Sequence, residues 1–297
     1  LGRDLKDATF GCKMGQSQQV VSDRIGRLRQ LGVLFRRGLR LNQMQLLAAR
    51  RFFEPDCEPL RDDVGRIIAA LDFRRRHIAD QERGARRYDL INSLIEARGF
   101  QTYLEIGVRN PEDCYSRIHA ARKWSVDPGF ESQANSATFP VTSDEFFGRL
   151  DAGELDGVPE RWDVIFVDGL HRAEQVWRDI ENSLRYLSPG GVVFLHDCLP
   201  PSESFAREQY SWTLETDHCW NGTCWKAFSR YLETGKHAAC VVASDWGVGV
   251  IDSSRSSDTQ PKFGSNPFFE FDVFVRSLDE SKRRLEPEEF LSDWARA

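Results

Sequence analysis

The sequence predicts an α/β protein: a doubly wound parallel sheet, with an extra helical region in front of it. Two short runs point to this first. Trp162–Asp168 (WDVIFVD) and Gly191–His196 (GVVFLH) each set four apolar residues in succession, as expected of strands buried on both faces. Between them Val176, Ile180, Leu184 and Leu187 recur at helical spacing. Short buried strands alternating with amphipathic helices make a parallel sheet covered on both sides.

The elements follow in order. Val20–Leu34 has Val21, Ile25, Leu28 and Leu31 on one helical face, and residues 42–53 read as a second helix with Asn42 as N-cap. Pro55 and Pro59 break the chain before a third helix over residues 60–82. Arg86–Arg98 is a fourth, ended by Gly99 as C-cap. Thr102–Val108 and Lys123–Asp127 then read as strands, the second followed by the turn Pro128-Gly129. A Pro189-Gly190 turn leads into the strand Gly191–His196. Gly222–Leu232 reads as a helix, and Ala239–Ser244, Gly247–Ile251 and Phe271–Val275 as strands. Residues 252–267 are polar and rich in Gly and Pro, as in an exposed loop. The expected organisation is a helical N-terminal region, 1–85, and an α/β domain, 86–297, with a lid segment near 200–225.

Composition narrows the class. With 40% hydrophobic and 29% charged residues, the 297-residue chain is not globally disordered. It has no run of 18 apolar residues, which excludes a helical membrane span from that signal. The N-terminal LGRDLKDATFGCKMGQ lacks an apolar core, so it shows no signal peptide and the setting is taken as cytoplasmic, while the missing initiator Met leaves a removed leader or an upstream segment open. Seven irregularly spaced cysteines suit a reducing compartment, although Cys219 and Cys224 are close enough to bridge. Asn221-Gly222-Thr223 is a glycosylation sequon only if the chain is secreted. Residues 1–98 hold 20 Lys and Arg against 13 Asp and Glu, whereas the remainder holds 20 against 33. The basic third is either a solvated helical surface or a face for nucleic acid.

Polar residues gather where the strands end. Glu105 with Gly107, Asp127, Asp168 with His171, and His196 with Asp197 follow four of the predicted strands. In open α/β sheets ligands bind beyond those ends. A glycine there lets a ligand approach the backbone, and an acid after the second strand can accept ribose hydroxyls. The turn GVRNPED lacks the glycines that cradle a pyrophosphate, and no GxxxxGK[ST] occurs, so an adenosine cofactor without phosphates fits best.

YLEIGV, VDP, TSDEFF, WDVIFVDGLH and DIENSLRYLSPGGVVFLHD, in this order, resemble class I S-adenosylmethionine-dependent methyltransferases. The nearest group is the small-molecule and sugar O-methyltransferases of natural-product pathways. The resemblance covers about residues 86–200, continues more weakly to 251, and leaves the first 80 residues unexplained. It implies a Rossmann-like, mostly parallel seven-stranded sheet. It also implies that Glu105, Gly107, Asp127, Ser143, Asp144 and Asp168 bind S-adenosylmethionine, with Asp127 on the ribose and Ser143–Asp144 at the adenine. Asp168 and Asp197 match acids that hold a divalent ion in several relatives. Where those relatives have two adjacent acids, this chain has His196-Asp197, so His196 either completes a Mg²⁺ or Mn²⁺ site or serves as base or supporting group. His171 matches a catalytic base, an imidazole suited to taking a proton near neutrality.

The function expected is methyl transfer to a hydroxyl of a small-molecule acceptor, natural products or sugars included, by a protein compatible with homo-oligomerisation. Two alternatives stand beside it, a nucleic-acid methyltransferase and a non-catalytic binding protein of the same fold. The first lacks RNP, zinc-finger and basic-zipper signatures. Against the second, both Asp168 and His171 are present. Trp212, Trp220 and Trp225 in the lid suit either a ring-bearing acceptor or ordinary packing.

Overall fold

The computed structural model describes residues 59–81, 84–131, 136–211, 213, 215–216, 218–258 and 264–294, and the side chains of these from residue 69 onward. The helices expected over 20–34 and 42–53 lie outside the described residues. The chain divides into two compact units, Leu1–Arg76 and His77–Ala297. Helix α1 (Pro59–Gln81) opens the described chain, at the place of the third predicted helix.

Seven strands form one sheet in the second unit. They are β1 (Thr102–Ile106), β2 (Arg122–Val126), β3 (Trp162–Val167), β4 (Leu187–Leu195), β5 (His237–Val242), β6 (Val248–Ser256) and the short β7 (Arg284–Leu285). Their order is β2-β1-β3-β4-β6-β5-β7. All neighbours pair in parallel except β6, which runs antiparallel to both β4 and β5. The order reverses between β1 and β3, and the crevice beyond their carboxyl ends is where such sheets bind ligands.

Helices cover both faces because alternate strand residues need cover on each. On one face Leu104, Ile106, Ile165, Val167, Val193 and Leu195 pack with α3 (Ser143–Asp151), α4 (Ala173–Arg185), α5 (Cys224–Thr234) and α6 (Phe271–Glu280). On the other, Tyr103, Val164, Phe166, Val192 and Phe194 meet α2 (Arg87–Arg98) and α7 (Pro287–Asp293). Helix α2 ends where expected, on Gly99 in the left-handed conformation (φ 65°). Its last residue, Arg98, makes a two-armed pair with buried Asp252 of β6, Nη2 to Oδ2 at 2.6 Å and Nη1 to Oδ1 at 3.1 Å.

Three expectations are corrected. Phe271–Val275 is helical, because Phe271, Phe274 and Leu278 recur at three and four residues and bury one side of α6. Residues 252–256 continue β6, tied down by the Arg98–Asp252 pair, so the polar stretch after them is shorter than expected. Pro189-Gly190 is no free turn. It forms an outward bulge within β4, where Trp162 faces Leu187 but Val164 already faces Val192. Cys219 and Cys224 are both free thiols. No helix among the described residues is long and apolar enough to cross a membrane.

Phe194 stands fully buried in β4, edge-on to Phe290 of α7. Phe194→Ala should lower unfolding stability by about 3–5 kcal/mol through lost burial and an unfilled cavity. Urea unfolding measures this, and a loss under about 1 kcal/mol would contradict so central a place in the packing.

Candidate active site

The turn after β1 and the turn after β3 touch. Gly107 has φ 93°, and a Cβ there would lie 2.1 Å from the Asp168 carbonyl oxygen. The glycine is required by the neighbouring strand end, a reason distinct from ligand approach. Asp127 closes the adjacent turn: Val108 N–H donates to Oδ2 at 2.7 Å and Gly129 N–H to Oδ1 at 2.6 Å. Glu105 is buried in β1 and accepts the Tyr103 hydroxyl. Burial raises its carboxyl to about 8, against the lowering effect of that hydrogen bond, so it is mostly uncharged at neutral pH. Ser143 and Asp144, at the start of α3, both accept from the Gln175 side chain of α4, and Arg178 pairs with Asp144 at 3.3 Å.

The ends of β3 and β4 bring four groups into a closed ring of contacts. Asp168 Oδ1 lies 3.6 Å from His171 Nε2 and 3.2 Å from His196 Nδ1. Asp197 Oδ2 lies 3.2 Å from His171 Nδ1 and 3.1 Å from His196 Nδ1. Asp197 itself has φ 60°, a conformation that costs a non-glycine residue about 1–3 kcal/mol and is retained where the surroundings enforce it.

Electrostatics sets the charges. Burial alone would raise the Asp168 carboxyl, but His196 and Arg87 hold it well below the usual carboxylate range. Burial alone would lower the His171 imidazole, yet Asp197 and then Asp168 raise it to about 9. The ready proton acceptor expected at neutral pH is therefore mostly protonated, because two carboxylates retain its proton. Nδ1 of His171 is 3.0 Å from the Trp220 carbonyl and donates there, which leaves Nε2 as the atom that gains or loses a proton.

His196 is placed differently from His171. It is 7% exposed, its Nδ1 faces the two carboxylates, and its Nε2 meets Arg87 Nη1 at 2.7 Å. Both ring nitrogens are engaged by protein groups. Among the described residues the donor set compact enough for a metal is Asp168, His171 and Asp197, whose ligating atoms lie within 4.8 Å of one another. Two carboxylate oxygens and an imidazole nitrogen fit a small hard cation such as Mg²⁺ or Mn²⁺.

The segment after β4 supplies residues that the sequence left unassigned. Asn221 is fully buried and its amide donates to Asp197 Oδ1 at 2.6 Å. Gly222 lies so close to the His171 carbonyl that a Cβ would come within 2.1 Å. The Thr223 hydroxyl accepts from Ala173 N–H at 2.8 Å and so caps α4 from a distant part of the chain. The sequon is thus an internal brace with its Asn inaccessible to glycan. Trp220 stacks on His171, with centroids 5.3 Å apart and planes at 25°. Arg87 and Asp245 complete the surroundings, Asp245 being held down to about 2 against burial by His196 and Arg87. The crowding of Trp220, Asn221, Gly222 and Thr223 was the signal available. Arg87 and Asp245 sit 158 residues apart and offered none.

A protein-family model described as a methyltransferase domain matches residues 73–198. A search of curated proteins finds no match. Among solved structures, an O-methyltransferase from Bacillus cereus in complex with SAH is similar at 13% identity, covering 70% of this chain and 96% of that one, with a TM-score of 0.37. The O-methyltransferase TomG from Streptomyces achromogenes, in complex with SAM, is similar at 15% identity over 62% and 87%, with a TM-score of 0.37. MycE, solved with Mg, SAH and mycinamycin VI, is similar at 13% over 57% and 49%, with a TM-score of 0.36. The matched segment contains β1 to β4 and every member of the contact ring, Asp168, His171, His196 and Asp197. Over residues 73–198 the chain is similar to a family of methyltransferase domains.

Proposed function

We propose that the protein transfers the methyl group of S-adenosylmethionine to a hydroxyl of a small-molecule acceptor, with natural products and sugars as the substrate classes to try first. The observation that carries this reading is the convergence of Asp168, His171 and Asp197 beyond β3 and β4, beside the turns after β1 and β2. In the reaction the sulfur–methyl bond breaks as the oxygen–methyl bond forms. The acceptor's proton passes to His171 Nε2, and S-adenosylhomocysteine leaves. Holding donor and acceptor in line supplies much of the acceleration. Asp127, next to the turn after β1, is assigned to the ribose, and Glu105, Gly107, Ser143, Asp144 and Asp168 to the rest of the cofactor's surroundings.

Asp168 and Asp197 would supply the carboxylate oxygens for a divalent cation, which when bound orients an acceptor oxygen and lowers its pKa, while His171 Nε2 stays free to take the proton. His171 is oriented by its place between the two carboxylates and by the stacked Trp220, which covers one face of its ring. The nucleic-acid alternative draws on basic residues that lie mostly outside the described ones, and no geometry here favours it.

Two measurements test the reading. Asp127→Ala should weaken S-adenosylmethionine binding in calorimetry by ten-fold or more, since a charge-assisted contact is worth about 1.5–3 kcal/mol. A change under three-fold would leave Asp127 as a residue that only ties the turns of Val108 and Gly129. The second is the pH profile after chelation. Because His171 must lose its proton to accept another, kcat should climb with pH and level off above about 9. Added Mg²⁺ should move that limb to lower pH, since a cation held by Asp168 and Asp197 repels the imidazole proton. A flat profile from pH 6 to 9 would remove His171 from the proton-accepting role.

A further inference from the structure

The edge of the sheet opposite β2 carries a cavity of about 450 Å³, bounded by β5, the end of β6 and the connection from α6 to β7. Strands β4 and β6 separate it from the crevice beyond β1 and β3. Ligand sites for small organic molecules run from roughly 300 to 1,000 Å³, so the space exceeds what a bare ion needs. The wall is cationic. Arg255 of β6 lines it together with Lys282 and Arg283 of the α6–β7 connection, and Asp258 is the one carboxylate among the lining residues. Ser256, the last residue of β6, and Ser257 add hydroxyl groups. Lys282 has φ 54°, the left-handed turn by which the chain leaves α6 for β7.

The two arginines are held differently. Arg283 is fixed by protein groups: Nη1 donates to the Leu232 carbonyl at 3.1 Å and Nη2 to Ser257 Oγ at 3.2 Å. Burial pulls its guanidinium below the usual range, as expected of a cation drawn out of water. Arg255 lies over the Trp294 ring, 4.7 Å from its centroid, and its Nη1 is buried with no hydrogen-bond acceptor. A guanidinium has five donors and no acceptor, and its planar fork matches pairs of phosphate oxygens. Trp294 is the only aromatic residue of the lining, and Arg255 and the stacked Phe290 already engage its ring. Recognition there falls to charge and hydroxyl groups. We propose that this cavity binds a small organic phosphate, with the phosphoryl oxygens on Arg255, Lys282 and Arg283 and a hydroxyl-rich body such as a sugar against Ser256 and Ser257. Three cations against one carboxylate call for a dianion, and the remaining volume calls for a body attached to it. The site stands apart from methyl transfer and is read by binding alone.

Calorimetric titration of the full chain with glucose 6-phosphate and with ribose 5-phosphate tests this. At least one ester should bind saturably and more weakly as salt is raised. Inorganic phosphate should bind less tightly than that ester, and glucose and ribose should not bind. Arg255→Met should weaken the ester roughly ten-fold or more, the effect of losing a charge-assisted contact. Lys282 is exposed, and Lys282→Asn places there a residue that tolerates left-handed backbone. Its loss of charge should weaken binding about three-fold or more, a readout that stands even if Arg255→Met does not fold. Absence of saturable binding by both esters would overturn the proposal. So would unchanged affinity in Lys282→Asn or in a folded Arg255→Met, since the ester would then sit elsewhere. Inorganic phosphate binding as tightly as the ester would overturn it as well, leaving a site for the bare anion.

Discussion

The site depends on neutralising three carboxylates that the fold brings together at one end of the sheet. Asp168, Asp197 and Asp245 arrive from the ends of β3 and β4 and from the β5–β6 turn, and two of them are almost wholly buried. Carboxylates so placed remain ionised only with close compensating partners. Arg87 and Arg86 answer Asp245, Asn221 and the two imidazoles answer Asp197, and Arg87 with both imidazoles answers Asp168. The downward shifts of Asp168 and Asp245 and the upward shift of His171 are two sides of this arrangement.

That constraint explains where the backbone departs from relaxed conformations. Asp197, Asp245 and Trp246 all have positive φ, and two of the three carry the compensated carboxylates. It also explains why distant segments converge on the site. The chain at 220–223 braces Asp197, His171 and the start of α4, while Gln81, Arg86 and Arg87 grip the β5–β6 turn from another direction. Methyl transfer needs a donor and acceptor held in register, and a site tied to this many elements has little freedom to drift.

Much of the frame was legible because it is written locally. WDVIFVD and GVVFLH show burial on both faces in their own residues, and Gly99 marks the end of α2 by the conformation it permits. Phe271–Val275 was misread since its aromatic run looks strand-like until Leu278 completes the helical period. Within the site, Asp168, His171, His196 and Asp197 were visible as polar residues after strands. Their division of labour was not, because it is decided by which atom faces which. His196 and His171 differ chiefly in that an arginine 109 residues away meets one of them. Asn221 was hidden inside a sequon whose usual meaning is a surface one. Gly107 was expected to make room for a ligand, and the structure gives it a second reason in the backbone of Asp168.

The central claim is that the crevice beyond β1 and β3 holds the cofactor with its reactive sulfur directed at the ring of Asp168, His171, His196 and Asp197. A crystal structure with S-adenosylhomocysteine tests it most directly. The account predicts ribose hydroxyls on Asp127, the adenine beside Ser143 and Asp144, and the sulfur on the His171 side of the crevice with room between them for an acceptor oxygen. Cofactor bound elsewhere on the sheet, or bound with its sulfur turned away from His171, would contradict it.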